Sequence, residues 1–423
     1  MSRIAVIGTG YVGLTTGACF AHIGHEVVCA DIDAEKIARL NRGDIPILEP
    51  GLDDLVRDGV AEGRLRFVVG AEVAAEDCEF AYLCVPTPQG DDGAADLSYI
   101  EAAAAQIAPV LPADAVVVNK STVPVGSTHV VEAALQRPDV RVVSNPEFLR
   151  EGSAVHDFLN PDRVVIGTED RATAVRVASL FLGLTAPVIV TDPASAETIK
   201  YAANSFLATK LSFVNAMAAV CEAVGADIND VVKGIGTDPR IGEQFLAPGP
   251  GWGGSCFPKD TSALVHIAES AGYDFGLLKG VIAANHEQFD LVARKVEAMA
   301  GGSLEGKRIG AWGLTFKANT DDLRESPALA VIERLGARGA TVVAYDPAIH
   351  RNLPGIAVAD SAYTAAENAD VIVVLTEWDE FRWLDLQKVA DLMTTPALYD
   401  TRNVVDVAAA AKAGFEFAAL GRT

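Results

Sequence analysis

Short apolar runs set the rhythm of the first part of the chain. Ile4–Ile7, Glu26–Ala30, Phe80–Val85, Ala115–Asn119, Val140–Val143 and Arg163–Ile166 are separated by longer, helix-like stretches. Most of these runs are apolar throughout, as expected of strands covered on both faces of a parallel sheet. From about Ser195 to Met299 the pattern changes. Helical periodicity dominates Ala194–Val224, Asp260–Ser270 and Gly276–Ala298, a Gly/Pro-rich segment runs from Gly234 to Pro258, and no strand stands out. A break at Gly301–Ser303 then reopens the strand/helix alternation.

The final stretch looks like a worn copy of the first. Lys307–Leu314 parallels the opening strand and its glycine turn, Gly339–Asp346 parallels Gly24–Asp31, and Ala369–Leu375 parallels Phe80–Val85. The pattern predicts an α/β protein with two Rossmann-like, doubly wound parallel-sheet domains joined by a central helical domain. The expected boundaries are 1–195, 196–300 and 301–423.

Charge and cysteine usage narrow the function classes. The formal charge is −23, so no nucleic-acid partner is expected, and an anionic ligand would need local positive groups. The acidity itself reads as solubility or salt adaptation. Six cysteines form no CxxC pair or metal-type spacing, and no metal site is expected. Cys19, Cys29, Cys78, Cys84 and Cys221 lie in apolar or helical stretches; Cys256 does not. The chain opens directly on a strand, leaving no room for a signal peptide, and no run approaches the ~18 apolar residues of a membrane span. These features predict a soluble, cytoplasmic protein without a membrane partner.

Gly8-Thr-Gly10-Tyr-Val12-Gly13 follows an apolar strand and opens a helical pattern. In that context Gly8 permits a tight turn, Gly10 lets the backbone approach a pyrophosphate and Gly13 permits close helix–strand packing. The next strand ends in Asp31, suited to ribose hydroxyls and repellent to a 2′-phosphate, which favours NAD over NADP. Lys36 follows on the next helix, positioned for the adenosine side. Two proline-fixed loops, at Thr87 and at Lys120-Ser-Thr122, are expected at the same carboxyl ends. Each threonine either reaches cofactor or water, or serves as a turn or cap. The later copy keeps only Gly310 and Gly313, so its nucleotide would be held differently from a dinucleotide.

The chemistry concentrates in two places. Lys200 and Asn204 lie four apart on one helix face. They can hold a hydroxyl and stabilise its alkoxide, or form a solvated face. In Gly249-Pro-Gly-Trp-Gly-Gly-Ser-Cys256-Phe-Pro-Lys259-Asp260, glycines leave backbone N–H groups free, and a helix is expected to start near Lys259. Lys259, Lys200 and the helix end would favour the Cys256 thiolate, and Asp260 could assist proton transfer; a structural cysteine in a turn is the alternative. A thiol answers the second half of a four-electron oxidation, from alcohol through aldehyde to acid. Its attack on an aldehyde gives a thiohemiacetal, which can be oxidised to a thioester and hydrolysed. Glu147 and Glu151 are either a water-activating pair or acids in a helix's first turn. Arg240, Lys317, Arg324 and Arg402 are cations placed for a sugar or phosphate. Of the histidines, His22 and His25 read as helix-end residues rather than metal ligands.

Taken together, Gly8–Gly13, Lys120–Gly126, Asn145–Gly152, Gly253–Asp260 and Phe316-Lys317 resemble the motifs of the UDP-glucose/GDP-mannose dehydrogenase family, and the resemblance runs end to end. It implies Cys256 as nucleophile, assisted by Lys200, Asn204, Asp260, Thr122 and Glu147. It implies NAD as cofactor, contacting Val12, Asp31, Lys36, Thr122, Glu151, Lys259 and Arg324. It implies sugar-nucleotide contacts at Glu147, Phe148, Leu149, Arg150 and Glu151. Further contacts are implied at Lys200 and Asn204; at Phe245, Leu246, Ala247, Pro248 and Gly249; and at Gly253 and Lys317. Arg240 would reach the substrate of a neighbouring subunit, with the central helices forming a homodimer. The Gly-Gly-Ser-Cys form is most similar to the UDP-glucose branch, since Ser255 stands where the N-acetylhexosamine branch has histidine. Alternatives to UDP-glucose oxidation are another nucleotide-hexose dehydrogenase such as one for GDP-mannose, a two-electron hydroxy-acid dehydrogenase, and a non-catalytic nucleotide-sugar or NAD sensor.

Overall fold

The apolar runs become the inner strands of two sheets. The computed structural model describes residues 1–88, 90 and 95–422. It divides into two units, Met1–Ala203 with Ser262–Gly272, and Asn204–Thr261 with Tyr273–Thr423.

In the first unit the strands are β1 (Arg3–Ile7), β2 (Glu26–Asp31), β3 (Leu65–Val69), β4 (Phe80–Leu83), β5 (Val116–Asn119), β6 (Arg141–Ser144), β7 (Val164–Gly167) and β8 (Val188–Thr191). Their order is β3-β2-β1-β4-β5-β6-β7-β8. Pairing is parallel except between β6 and β7, which meet antiparallel at Ser144 and Gly167. Alternate residues of β1 feed opposite cores. Ile4 and Val6 pack with Leu14, Phe20 and Tyr82, whereas Ala5 and Ile7 pack with Ile100, Val117 and Val142. The chain turns back on itself between β1 and β4, the topological switch where open α/β sheets bind ligands at their carboxyl ends. Strands β3 and β8, which were not among the expected runs, form the sheet edges; Arg66 interrupts β3, and β8, though apolar, is exposed along most of its length.

The second unit repeats the plan. Strands β9 (Arg308–Trp312), β10 (Thr341–Tyr345), β11 (Ala357–Val358), β12 (Val371–Val374), β13 (Ala397–Asp400) and β14 (Glu416–Ala419) run in the order β11-β10-β9-β12-β13-β14, parallel throughout. That order matches β3-β2-β1-β4-β5-β6 position for position.

Between the sheets in chain order lie the helices Pro193–Val224, Ile228–Gly236, Phe257–Ser270 and Gly276–Met299. The first starts at a proline, whose missing N–H is no loss at a helix head, with Asp192 accepting the Ser195 N–H at 2.8 Å. It is long and apolar enough to cross a membrane by length and composition alone. No uninterrupted apolar run of that length occurs within it, as expected; the helix reaches its length by continuing through polar residues. Its interruptions carry its chemistry, because Glu197, Lys200, Asn204, Ser212 and Asn215 are buried and hydrogen-bonded.

Candidate functional site

The glycine turn has the shape its spacing implied. Gly8 adopts φ +98°, and a Cβ there would lie 2.5 Å from the Cys84 carbonyl oxygen; one at Gly13 would lie 1.9 Å from the Gly8 oxygen. At Gly10 a Cβ would meet nothing within 4 Å. Two glycines are thus demanded by packing, while the third leaves the turn open from outside. The helix Tyr11–His22 starts here without a side-chain cap, leaving N–H groups for an anion, and Val12 packs on the core beneath.

Asp31, at the end of β2, accepts the Thr9 N–H at 3.0 Å, the Thr9 hydroxyl at 2.6 Å and Lys36 Nζ at 3.0 Å on Oδ2, and the Asp33 N–H on Oδ1. Burial alone would raise its pKa, but these donors outweigh it and hold it at about 2. A permanently ionised carboxylate with acceptor capacity left on Oδ1, beside an open backbone turn, fits the adenosine ribose and pyrophosphate of NAD.

The two proline loops are tied together. Thr87 donates its hydroxyl to the Thr122 carbonyl at 2.8 Å, and Ser121 donates to the Val85 carbonyl at 2.7 Å. Thr87 therefore acts as a loop tie, while Thr122 is half-buried. Glu197 fastens the far end of the Thr122 loop. It accepts the Gly126 and Thr128 N–H groups at 2.6 and 3.1 Å and the Thr128 hydroxyl at 2.8 Å. It thereby caps the helix Ser127–Leu135, whose Gly126 has no side chain to do so.

The stretch Asn145–Gly152 is irregular, and the helix after it begins only at Ala154, so Glu147 and Glu151 are not acids of a first helical turn. Glu147 is buried against Lys200, Oε1 to Nζ 2.8 Å, and also accepts the Leu149 N–H. Burial would raise its pKa, yet the Lys200 charge and the hydrogen bonds turn the shift downward. The Phe148 ring lies under the Arg163 guanidinium at 3.6 Å and near Lys200 at 5.5 Å. Arg150 is paired with Asp157, and Glu151 is half-buried.

In the second unit, the loop before Cys256 is stapled by buried amides and a hydroxyl. Asn215 accepts the Gly249 N–H and Gln288 donates to the Gly249 carbonyl, both at 2.8 Å. Asn285 accepts the Trp252 N–H at 2.8 Å and donates to its carbonyl at 2.9 Å, and the Trp252 indole donates to Ser212 at 2.8 Å. A Cβ on Gly253 would fall 1.8 Å from the Glu325 carbonyl oxygen, so only glycine passes there.

Cys256 emerges at the head of the helix Phe257–Ser270, half-buried, with the Ser255 hydroxyl 3.6 Å from its sulfur. Cys19, Cys29, Cys78, Cys84 and Cys221 are all buried. Burial pushes the Cys19, Cys78 and Cys84 thiols up to about 12, which makes them poor nucleophiles. Behind Cys256, Asp260 bridges two donors, Asn204 Nδ2 at 2.6 Å and Lys259 Nζ at 2.5 Å.

The remaining predicted residues of this unit divide by environment. Phe245 takes a left-handed φ of 60°, uncommon for an aromatic residue, and packs near Phe257. Leu246, Pro248 and Gly249 are buried while Ala247 is exposed. Arg402 donates to the Leu375 carbonyl at 2.8 Å and pairs with Glu377, its guanidinium lying 2.8 Å from where a Gly249 Cβ would be. Lys317 lies over the Phe316 ring, and Arg324 pairs with Asp322. Arg240 is 88% exposed and pairs with Asp238.

Sequence reasoning missed the residues that hold these groups. Glu49 is one: it accepts the hydroxyl of Tyr11, the Gly152 N–H at 2.7 Å and the Val155 N–H at 3.3 Å, tying the glycine turn to the Glu147 loop. His25, away from these groups, accepts the Ser2 N–H and meets the Leu180 carbonyl rather than capping its helix. No local pattern marks such residues, because their partners are distant in sequence.

Three models of the UDP-glucose/GDP-mannose dehydrogenase family match the chain: the NAD binding domain over residues 2–185, the central domain over 194–287 and the UDP binding domain over 310–407. The chain is 48% identical over 436 residues to the UDP-glucose 6-dehydrogenase of Rhizobium meliloti (strain 1021), with 99% of each chain covered. It is 46% identical over 432 residues to the UDP-glucose 6-dehydrogenase TuaD of Bacillus subtilis (strain 168), covering 100% of this chain and 94% of that protein. Among solved structures it resembles a UDP-glucose dehydrogenase from the hyperthermophilic archaeon Pyrobaculum islandicum, with a TM-score of 0.91 at 35% identity, covering 100% of this chain and 98% of that one.

Proposed function

The chain belongs to the UDP-glucose/GDP-mannose dehydrogenase family, and from that premise we propose that it oxidises the sugar CH₂OH of UDP-glucose to a carboxylate through a covalent intermediate on Cys256. The observation that carries the reading is the contrast between Cys256 and the other thiols. Five are buried, whereas Cys256 stands half-exposed on a loop stapled from behind, at a helix head whose first turn holds Lys259 and Asp260.

NAD⁺, when bound, supplies the hydride acceptor that no side chain can provide. The chain's residues do the rest. Lys200 and Asn204, one helical turn apart, hold the sugar oxygen and stabilise its negative charge as the proton leaves. The Cys256 thiolate then adds to the aldehyde carbon. The resulting thiohemiacetal carries a hydrogen on a tetrahedral carbon bonded to oxygen and sulfur, which a bare aldehyde lacks, so a second oxidation to the thioester becomes accessible. Asp260 holds the water that releases the acid, Thr122 assists at the sugar carbon, and Glu147 pairs with Lys200 and orients it. Gly253, Lys317 and Arg402, with Phe245–Gly249, hold the nucleotide and sugar.

We assign the assembly as a homodimer. On the helix Pro193–Val224, Phe206, Phe213, Val220 and Val224 are exposed and spaced at 7, 7 and 4, one apolar stripe that a second copy can cover. Arg240, held by Asp238 and exposed, is placed to serve the partner's substrate. Six cysteines that form no disulfide among the described residues suit a reducing cytoplasm.

The test is a substrate panel followed by NADH absorbance, with two NADH expected per UDP-glucose. Turnover of GDP-mannose with indifference to UDP-glucose would overturn the substrate assignment, and one NADH per sugar would overturn the thioester. For the nucleophile, Cys256→Ser should stall as an oxygen-linked sugar adduct visible by intact-protein mass spectrometry. Full turnover with no adduct would remove Cys256 from its role.

A further inference from the structure

Phe245 opens the segment assigned above to the sugar nucleotide, and its backbone is strained. It takes φ 60°, a region that disfavours bulky side chains and persists only where the surroundings over-determine it. The far end of the segment is held, since Asn215 and Gln288 engage both backbone groups of Gly249 at 2.8 Å. A second anchor stands before Phe245, on a side chain that the scheme above leaves unused.

That side chain is Lys210, half-buried on the helix Pro193–Val224 between Asn204 and Asn215. Its Nζ donates to the carbonyls of Gln244 at 2.5 Å, Ile241 at 3.1 Å and Gly242 at 3.4 Å. An ammonium has three N–H groups, and three carbonyls of one loop receive them. The N–H groups of Ile241 and Gly242 both donate to the Asp238 carbonyl at 2.9 Å. Residues 241 and 242 are therefore engaged through N–H and C=O alike, and their peptide planes have little room to rotate.

The bond to Gln244 bears directly on the strain. The Gln244 carbonyl and the Phe245 nitrogen belong to one planar peptide unit, and φ of Phe245 is the rotation that starts from that plane. Fixing the carbonyl fixes the plane. One helix thus pins the chain on both sides of residues 245–248, through Lys210 before them and Asn215 after them.

Stability alone does not account for this arrangement. Ile241 and Gln244 are exposed, so water can satisfy their carbonyls and the net gain from each bond is small, while ordering a lysine side chain costs entropy. What Lys210 adds is the direction in which the loop enters Phe245.

We propose that Lys210 is a positioning residue for the sugar nucleotide, holding residues 241–244 so that Phe245 keeps its left-handed backbone and the segment Phe245–Gly249 keeps its binding shape. This rests on the place given to Phe245–Gly249 in the proposed function. Lys210 touches neither the reacting carbon nor NAD⁺ in this scheme, so its loss should be felt in one substrate and not the other.

The experiment measures KM for UDP-glucose and for NAD⁺, each at saturating levels of the other, in the wild type, Lys210→Met and Lys210→Arg, all first checked for folding by circular dichroism. Lys210→Met should raise KM for UDP-glucose about tenfold, with KM for NAD⁺ and kcat each within about threefold of the wild type. Lys210→Arg, whose guanidinium also donates to several acceptors, should bring KM for UDP-glucose back to within about threefold. A folded Lys210→Met with the wild-type KM for UDP-glucose, even at a lowered Tm, would reduce Lys210 to a stabilising staple and overturn the proposal. An equal rise in both KM values would overturn it too. Should Lys210→Met fail to fold, Lys210→Gln, which keeps two donors on a shorter arm, decides by the same ratio of KM values, and an unchanged ratio overturns the proposal. A wild type inert toward UDP-glucose is the separate outcome that overturns the proposed oxidation. The Lys210 comparison is then read without turnover, from calorimetric titration with UDP-glucose, where equal affinity in wild type and Lys210→Met overturns it.

Discussion

At the scale of single residues, the site is made of a few reactive groups and a larger number of buried holders. Asn285 replaces a strand neighbour for Trp252, satisfying both its N–H and its carbonyl. Asn285→Ala leaves two buried backbone groups without partners and should cost about 2–4 kcal/mol of stability, read from urea unfolding. A loss below about 0.5 kcal/mol would mean that the loop holds itself. Glu49 is a similar case in the first unit. Glu49→Ala removes the acceptor for Gly152 and Val155, so the Glu147 loop should loosen and KM for UDP-glucose should rise severalfold. An unchanged KM would detach Glu49 from substrate binding.

At the scale of elements, long periodic segments were legible and edges were not. The helices Pro193–Val224 and Gly276–Met299 lie within a residue of the stretches their periodicity marked. Strand β3 escaped because Arg66, exposed at the sheet edge, interrupts its apolar run; β8 is apolar in sequence, and only the structure shows it as an exposed edge. The helix Pro193–Val224 also turns an apolar face outward. Phe206→Glu with Phe213→Glu places two charges in that stripe and should convert the proposed dimer to a folded monomer, measured by light scattering. A dimer of unchanged mass would place the interface elsewhere.

At the scale of the whole molecule, the chain uses one sheet plan twice and gives each copy's corresponding acid a different task. Asp31 ends β2 with its carboxylate partly accessible, whereas Asp346 follows β10 with no exposure. Asp346 accepts from the Leu314 and Thr315 N–H groups, the Thr315 hydroxyl, the Ala348 N–H and the Trp378 indole. Fully buried, its carboxylate has no surface to offer a ligand. Asp346→Ala should therefore destabilise the protein without altering NAD⁺ affinity, while Asp31→Ala should weaken NAD⁺ more than about tenfold by calorimetry. The opposite pattern would reverse the assignment of the two sheets.

Asp31 has a pH signature as well. Its pKa is depressed from 3.8 to about 2, so its contribution of about 2 kcal/mol is complete above pH 3.8 and fades as pH falls toward 2. Asp31→Asn should flatten the acid unfolding curve in that window alone, and a curve superimposed on the wild type would deny the depressed pKa.

The sequence by itself determined the alternation of strands and helices, the repeated plan, the glycine turn and the isolation of Cys256. Each is written in neighbouring residues, through hydrophobic period, backbone freedom or local composition. Only the tertiary structure decided which charges meet. Lys200 finds Glu147 across 53 positions, Glu49 finds Gly152 across 103, and Gly253 must be glycine because Glu325 passes beside it. Such contacts depend on where the sheets bring distant segments. Once buried, a charge or amide must be satisfied by whatever the fold places beside it.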